Sequence, residues 1–528
     1  MTNVDVLVIG AGPTGMALAL ELAAQNVSFR IIDKATERSP YSRALAVQPR
    51  VLELLNRHGI SRDLIASGTT ADATKVCVNG TEYARIDSSS VHMPGTAFPS
   101  TMVISQVETE KHLETALAKR GVKIEMGVQV ESITQDSEGV TVKMTSPNGV
   151  ETVRVRYVAG ADGAHSCVRH AAKNLTFEGE AYQQEFILAD THIKSQQPPN
   201  TAFMCLGKGV MVVLPIARDR VRLVVSRPGH GVIQEPELKD FEEFMQEVFP
   251  GGGSLYDPLW ITRFHLHHRG VNNYRDGRLF VAGDAAHIHS PAGGQGMNTG
   301  ISDSINLGWK LAAVLRGEKP NSFLDSYNNE RHPVGEHLLK TSDKTFNYVA
   351  STNPIYLFFR NLILPWVLPW LTSSPQRVNT YMSTISQLRV RYRRSDIVGT
   401  ASGFDGPVKG GWRAPDGKIK TPNGEKWLQE LFSPGSHHVL LFSGVGSDSA
   451  SEGDLHRAES SFLEMAKTAV KVHTIFGDEH SGHAGYVDVG ALHQAYGFNK
   501  AGYVLVRPDI YIAHIGYLPS LSEAQEYL

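Results

Sequence analysis

Cysteine is scarce in this sequence: three residues in 528, Cys77, Cys167 and Cys205, stand far apart with no CxxC pair. That spacing excludes a disulfide framework, offers no zinc site and fits a reducing compartment. An excess of charge is also missing. The formal net charge is -3, so the basic footprint of a nucleic-acid binder is absent. The opening MTNVDVLVIGAG starts an apolar strand at once, without the basic n-region or cleavage site of a signal peptide, and points to the cytoplasm. Nor is there an uninterrupted run of the ~20 apolar residues that a membrane span requires. The most apolar stretch, IYLFFRNLILPWVLPWL at 355–371, holds Arg360 and Asn361 and is interrupted by Pro365 and Pro369. It reads as a buried or interface helix, with membrane-surface contact as the alternative. What remains is 41% hydrophobic and 20% charged, the composition of an ordinary globular protein, and its length implies two to four domains.

Glycine, by contrast, is concentrated at informative places. VDVLVIGAGPTGMALALELAAQNVSFRIIDK reads as apolar strand, Gly-rich turn, apolar helix and second strand ending in an acid, which is a βαβ unit. Gly10, Gly12 and Gly15 form G-x-G-x-x-G in that context, allowing a tight turn, close approach of a pyrophosphate, and helix-on-strand packing. Asp33 stands where a carboxylate bonds a ribose 2′-hydroxyl, and an acid there disfavours a 2′-phosphate. The ligand expected is FAD or NAD.

Two further strand-to-turn-to-helix elements follow. VRYVAGADGAHSCVRHAA runs into Asp162-Gly163 and a helix carrying Arg169; GRLFVAGDAAHIHSPAGGQGMNTGISDSINLGWKL, residues 277–311, runs through Gly283-Asp284 and a glycine-rich turn into a second helix. A nicotinamide dehydrogenase needs only the first element. The order and spacing of all three, over about the first 345 residues, resemble the FAD-dependent aromatic hydroxylases, the class A flavoprotein monooxygenases typified by para-hydroxybenzoate hydroxylase and phenol hydroxylase.

The resemblance implies an α/β fold: a Rossmann-type FAD-binding domain, an inserted β-sheet substrate domain and a C-terminal thioredoxin-like domain. It divides the chain into FAD-binding segments at 1–75, 101–175 and 275–345, substrate segments at 76–100 and 176–274, a helical connector at 346–399, and the thioredoxin-like domain at 400–528. It also implies that Gly10, Gly12, Pro13, Gly15, Asp33 and Lys34 hold the AMP half of FAD, with Arg43 and Gln106 along the pyrophosphate and flavin. From the residues alone, Arg43 could equally begin a solvated helix. Asp162, Gly163 and Arg169 would serve FAD and the nicotinamide cofactor, Gly283 and Asp284 the ribityl chain, and Pro291, Gly294, Gly296, Met297 and Asn298 the isoalloxazine edge.

Only one dinucleotide fingerprint is present, so NADH or NADPH is expected as a transient co-substrate. The implied reaction uses NAD(P)H and O2 to hydroxylate a phenolic or other electron-rich aromatic through a flavin C4a-hydroperoxide. Arg50 is a candidate for lowering the phenol's pKa if its helix faces the cavity, with Tyr182 or Tyr41 as hydrogen-bond partners, His287 as a proton shuttle and Pro291 at the reacting edge. Each also has a plain packing reading. The alternatives are a flavin epoxidase or Baeyer–Villiger enzyme on the same fold, and a flavin-binding sensor or interaction protein. The histidines of HLHHR (His265, His267, His268) lack neighbouring Cys or carboxylate at ligand spacing, so no metal is expected. Without a cysteine, the C-terminal domain is left a packing role or a homodimer interface.

Overall fold

The computed structural model describes residues 4–528 except 43, 218, 227–234, 290–292, 350–352, 446–448, 467–469 and 478–484, and leaves aside the side chains of 181–184, 265–266, 345–347 and 354. Its first layer is a six-stranded sheet. Leu279–Val281, Tyr157–Gly160, Val6–Ile9, Phe29–Asp33 and Ile124–Met126 run parallel in that order, with Arg275–Asp276 antiparallel at one edge. Val6–Ile9 and Tyr157–Gly160 are buried at every position, as the unbroken apolar runs of a parallel sheet covered on both faces should be. The register sets Ile9 beside both Ile32 and Gly160, and Gly160 beside Val281, so these strands finish together along one edge. Ligands of open α/β sheets bind outside such carboxyl ends.

An eight-stranded sheet forms the second layer. Two long strands, Phe177–Lys194 and Ser254–Val271, pair antiparallel near one edge, and Ala73–Val78 with Thr81–Asp87 complete the far edge. Strand periodicity separates its two faces. Ala189, Leu223 and Val225 pack on Phe241, Phe244 and Met245 of the helix Leu238–Val248, whereas Phe186, Val224 and Phe264 belong to a separate apolar cluster.

The C-terminal sheet pairs His437–Phe442 in parallel with Val470–Phe476 and antiparallel with Gly502–Val506, which in turn pairs with Ile512–Tyr517. These strands belong to an eight-stranded mixed sheet, an α/β arrangement of the kind expected of a thioredoxin-like domain. The hairpin loop Arg507-Pro508-Asp509 is driven into the first domain. Arg507 donates to both Glu330 oxygens at 2.6 and 2.8 Å and to Asp509 at 2.6 Å. Lys310 reaches Glu330 at 2.7 Å, Asn306 bridges Glu330 and Asp509, and Arg57 bonds the Pro508 carbonyl. Burial alone would raise the Glu330 pKa, but Arg507 and Lys310 outweigh it and hold the carboxyl well below the usual range. Burial brings Lys310 down to about 8.

The apolar stretch expected to be buried, or else an interface, departs from the first of those readings. It forms one helix, Pro354–Thr372, with Pro365 and Pro369 inside it rather than interrupting it. By length and composition it could cross a membrane, yet it lies along the protein with only 6% of its 18-residue apolar window buried. Neighbouring elements cover one stripe of it and leave the other bare.

Candidate cofactor site

At the carboxyl ends of the parallel strands, Gly10 adopts φ +101°, and a side chain there would run into the backbone of Ala161. Gly15 packs so closely on the carbonyl of Gly10 that a methyl group would overlap its oxygen. Gly12 is different. Its backbone (φ -72°, ψ -176°) suits any residue, and a methyl placed on it would meet no protein atom within 4 Å. The first and third glycines are therefore required by the fold, while the second keeps a space clear at the start of the helix Pro13–Ala24, where Pro13 fills the first turn. Asp33 ties this turn to the second strand: one oxygen accepts from Ala11 N–H at 2.7 Å and the other from Ala35 N–H at 2.9 Å. Lys34 beside it is exposed.

Arg38 closes the same corner, donating to the Ala11 carbonyl at 2.9 Å and to Glu114 at 2.7 Å. Sequence reasoning missed it, because five residues past the acid no motif marks an Arg. Gln106 opens the helix Gln106–Ala118; its side chain accepts from Ala44 N–H at 3.2 Å and donates to Glu110 at 2.8 Å. Arg43 lies outside the described residues, as does Pro291; Tyr182 is described in its backbone only.

The other two elements meet this corner. Asp162 caps its turn by accepting from Cys167 N–H at 2.7 Å, while its second oxygen is buried without a partner. Burial and this carboxylate push the Cys167 thiol up to about 12, which keeps it protonated at neutral pH. Gly163 turns at φ +77° with nothing against it. Arg169 joins the two turns, donating to the carbonyls of Ala164 at 2.7 Å and Ala285 at 2.8 Å, with its guanidinium 3.9 Å from the Phe177 ring centre. Asp284 is exposed in the 3-10 turn Gly283–Ala285.

The helix Gly296–Leu315 crosses Pro13–Ala24 with Gly300, Thr14 and Gly283 in mutual contact, and Ser304 bonds the Thr14 carbonyl at 2.7 Å. Asn298 accepts from Gln48 N–H at 2.7 Å and donates to the carbonyls of Ala46 and Gly294 at 2.8 Å each, locking Gly294 (φ +60°) beneath the helix start. Met297 is half-buried beside it. Two helix N-termini, three glycine turns, an orphaned carboxylate oxygen and the clear space at Gly12 thus converge. That donor set and that space fit a dinucleotide whose pyrophosphate lies on a helix N-terminus.

Two catalytic expectations need correction. Arg50 does not face a cavity: it is 2% exposed, paired with Glu53 at 3.0 Å and bonded to the Asp509 carbonyl at 2.6 Å beside the Tyr511 ring. Its charge is spent on the domain junction. His287 is 1% exposed, bonded to Asp303 at 2.8 Å and stacked on Tyr274, and Asp303 is also held by Arg331 at 2.7 Å. It is a core residue of an ion cluster rather than a proton shuttle. Tyr41, half exposed, stacks on Trp260 of the large sheet at 5.1 Å between ring centres. On that strand face Trp260 and Arg222 both pair with Asp190, and Arg222 grips its carboxylate with two 2.7 Å bonds. The cross-strand pairing behind this cluster has no local sequence signal.

Three strand ends with turns of this kind, on a mostly parallel sheet joined to a large, mostly antiparallel one, define a flavoprotein fold. Residues 3–342 match the FAD binding domain family, and 436–528 match the phenol hydroxylase C-terminal dimerisation domain. The chain belongs to this family of FAD-dependent aromatic monooxygenases. It is 34% identical over 481 residues to an uncharacterized aromatic compound monooxygenase of Bacillus subtilis (strain 168), covering 90% of this chain and 92% of that one. It is 32% identical to 6-methylpretetramide 4-monooxygenase of Streptomyces rimosus, over 97% of this chain and 90% of the other. Among solved structures, anhydrotetracycline hydroxylase of Streptomyces rimosus superposes with a TM-score of 0.75 at 28% identity, covering 99% and 97% of the two chains.

Proposed function

We propose that this enzyme uses NAD(P)H and O2 to hydroxylate a phenolic or other electron-rich aromatic, with fused-ring phenols first among the candidates. The observation that carries the reading is the alignment of three glycine turns along one sheet edge, with Gly12 open and an Asp162 oxygen unpartnered. Bound FAD would supply the redox chemistry that activates oxygen. Gly12 and the start of Pro13–Ala24 would take the pyrophosphate, Asp33 the ribose, Asp162 and Asp284 the remaining sugar and ribityl hydroxyls. The N-terminus of Gly296–Leu315 would favour negative charge nearby by ~0.3–2 kcal/mol.

The substrate ring is assigned to the sheet face bearing Trp260 and Tyr41, where aromatic surface orients it and apolar neighbours exclude water. The relatives named for 6-methylpretetramide and anhydrotetracycline support a polycyclic substrate. The match of 436–528 to a dimerisation domain supports a homodimer. The test is NAD(P)H oxidation by the yellow protein against a panel of mono- and polycyclic phenols, with product analysis. Faster oxidation and a ring-hydroxylated product are expected. If all reducing equivalents emerge as hydrogen peroxide with every phenol, while a ketone or isolated alkene gains oxygen, the reading is refuted.

A further inference from the structure

The helix Pro354–Thr372 backs the sheet face assigned to the substrate with one side only, and its other side has no part in that reaction. On its covered side, Leu364 and Leu368 pack with Phe186, Phe264 and Val224 of the large sheet. Buried Arg360 is pinned to the carbonyls of Val349 and Gly207, which fixes the helix along the protein surface. On its bare side, Ile355, Phe359, Leu362, Trp366 and Trp370 are 52 to 79% exposed. A helix apolar on both sides is normally enclosed. Among the described residues nothing covers this second stripe.

We propose that the bare stripe lies in the headgroup boundary of an anionic lipid bilayer, with the helix axis parallel to the membrane. Charge is the first argument. From Lys344 to Ser395 the sequence contains six Lys or Arg besides the buried Arg360, and no Asp or Glu. Such a segment is drawn to anionic headgroups. Across a two-fold axis it would instead face its own like charge. Area is the second. A helix of 19 residues is ~28 Å long, and its outward half offers roughly 450 Å², well short of the ~800 Å² per partner of a stable protein interface. The third is the placing of the tryptophans. Trp366 and Trp370 sit toward one end of the stripe, and the Arg377 guanidinium lies 4.3 Å from the Trp370 ring centre. Tryptophan favours the headgroup level, where a neighbouring cation can meet phosphate. The proposal does not depend on which aromatic is hydroxylated.

The test mixes the full-length, FAD-loaded protein with sucrose-loaded vesicles, one set of phosphatidylcholine containing a quarter phosphatidylglycerol and one of phosphatidylcholine alone, followed by sedimentation. The comparison is Phe359→Glu/Trp366→Glu, two exposed positions, with the flavin spectrum as the check on folding. Sedimentation with the anionic vesicles is expected, with the bound fraction in the double variant falling about tenfold or more at unchanged flavin content. Wild-type protein left in the supernatant with both vesicle types would overturn the proposal. So would a double variant that binds like wild type. Concentration-dependent self-association, abolished by the double substitution and unaffected by vesicles, would assign the face to a second copy.

Discussion

Replacing Gly12 by alanine separates a glycine kept for the fold from one kept for a ligand. The backbone at Gly12 is already in a region open to every residue, and the added methyl meets no protein atom within 4 Å. Stability should therefore change by no more than ~1 kcal/mol, since the entropy gained in the unfolded chain opposes a slightly poorer helix cap. Flavin affinity should fall much further, because the methyl occupies the space that the pyrophosphate needs. A loss of ten- to a hundredfold, about 1.4–2.8 kcal/mol, is expected. Gly15→Ala is the contrast. Its methyl would overlap the Gly10 carbonyl oxygen and lie 3.0 Å from the carbonyl carbon, so about 1–3 kcal/mol of overpacking strain should accompany any loss of flavin. Both variants are stripped of flavin, melted, and titrated with FAD by fluorescence quenching. Wild-type affinity in Gly12→Ala would refute the placement of the pyrophosphate.

Asp284→Ala should weaken FAD by roughly 1.5–3 kcal/mol through loss of a charged acceptor, measured in the same titration. Glu330→Ala should cost about 3–5 kcal/mol, since it leaves Arg507 and Lys310 buried without their shared carboxylate; a lowered urea midpoint checks it. Acid should loosen the C-terminal domain first. Burial lowers His437 and His438 to about 3, and His473 and His514 to about 4. The unfolded chain therefore takes up protons that the folded domain refuses, and stability present above about pH 6.5 is lost as pH falls toward 4. At pH 5 a histidine shifted this far withdraws on the order of 1–2 kcal/mol, with His438 and His473, 2.9 Å apart between ring nitrogens, titrating as one coupled pair. Asp416, raised by burial to about 7, works in the opposite direction but stands alone against four. Thermal melts between pH 5 and 8 should show the trend, and a melting temperature flat or rising on acidification would refute it.

The cofactor corner was legible because its signals are local: a strand, a glycine turn and a helix follow one another within about twenty residues at Gly10, Asp162 and Asp284. What sequence could not show arises from pairings across the chain. Arg50 reads as a helix-start arginine free to face a cavity, yet its partner is a carbonyl 459 residues away. His287 reads as a histidine beside a flavin turn, and only the run of the helix Gly296–Leu315 back past the strand His287–Ile288 brings Asp303 to it. The apolar stretch at 354–372 shows the limit of composition itself, since hydropathy gives the helix but not what lies on each of its sides.

The contact of Thr14 with Gly283 and Gly300 has a consequence for synthesis on the ribosome. The first glycine turn emerges early, but the helix that completes its pocket is encoded almost three hundred residues later. At ~5–20 residues per second the N-terminal strand and helix wait on the order of 15–60 s for their partner. The hairpin that clamps Glu330 and Asn306 arrives about 200 residues later still, after a further ~10–40 s. Flavin captured by a nascent chain would thus date the arrival of the segment around residue 300, and chains stalled before that point should emerge colourless.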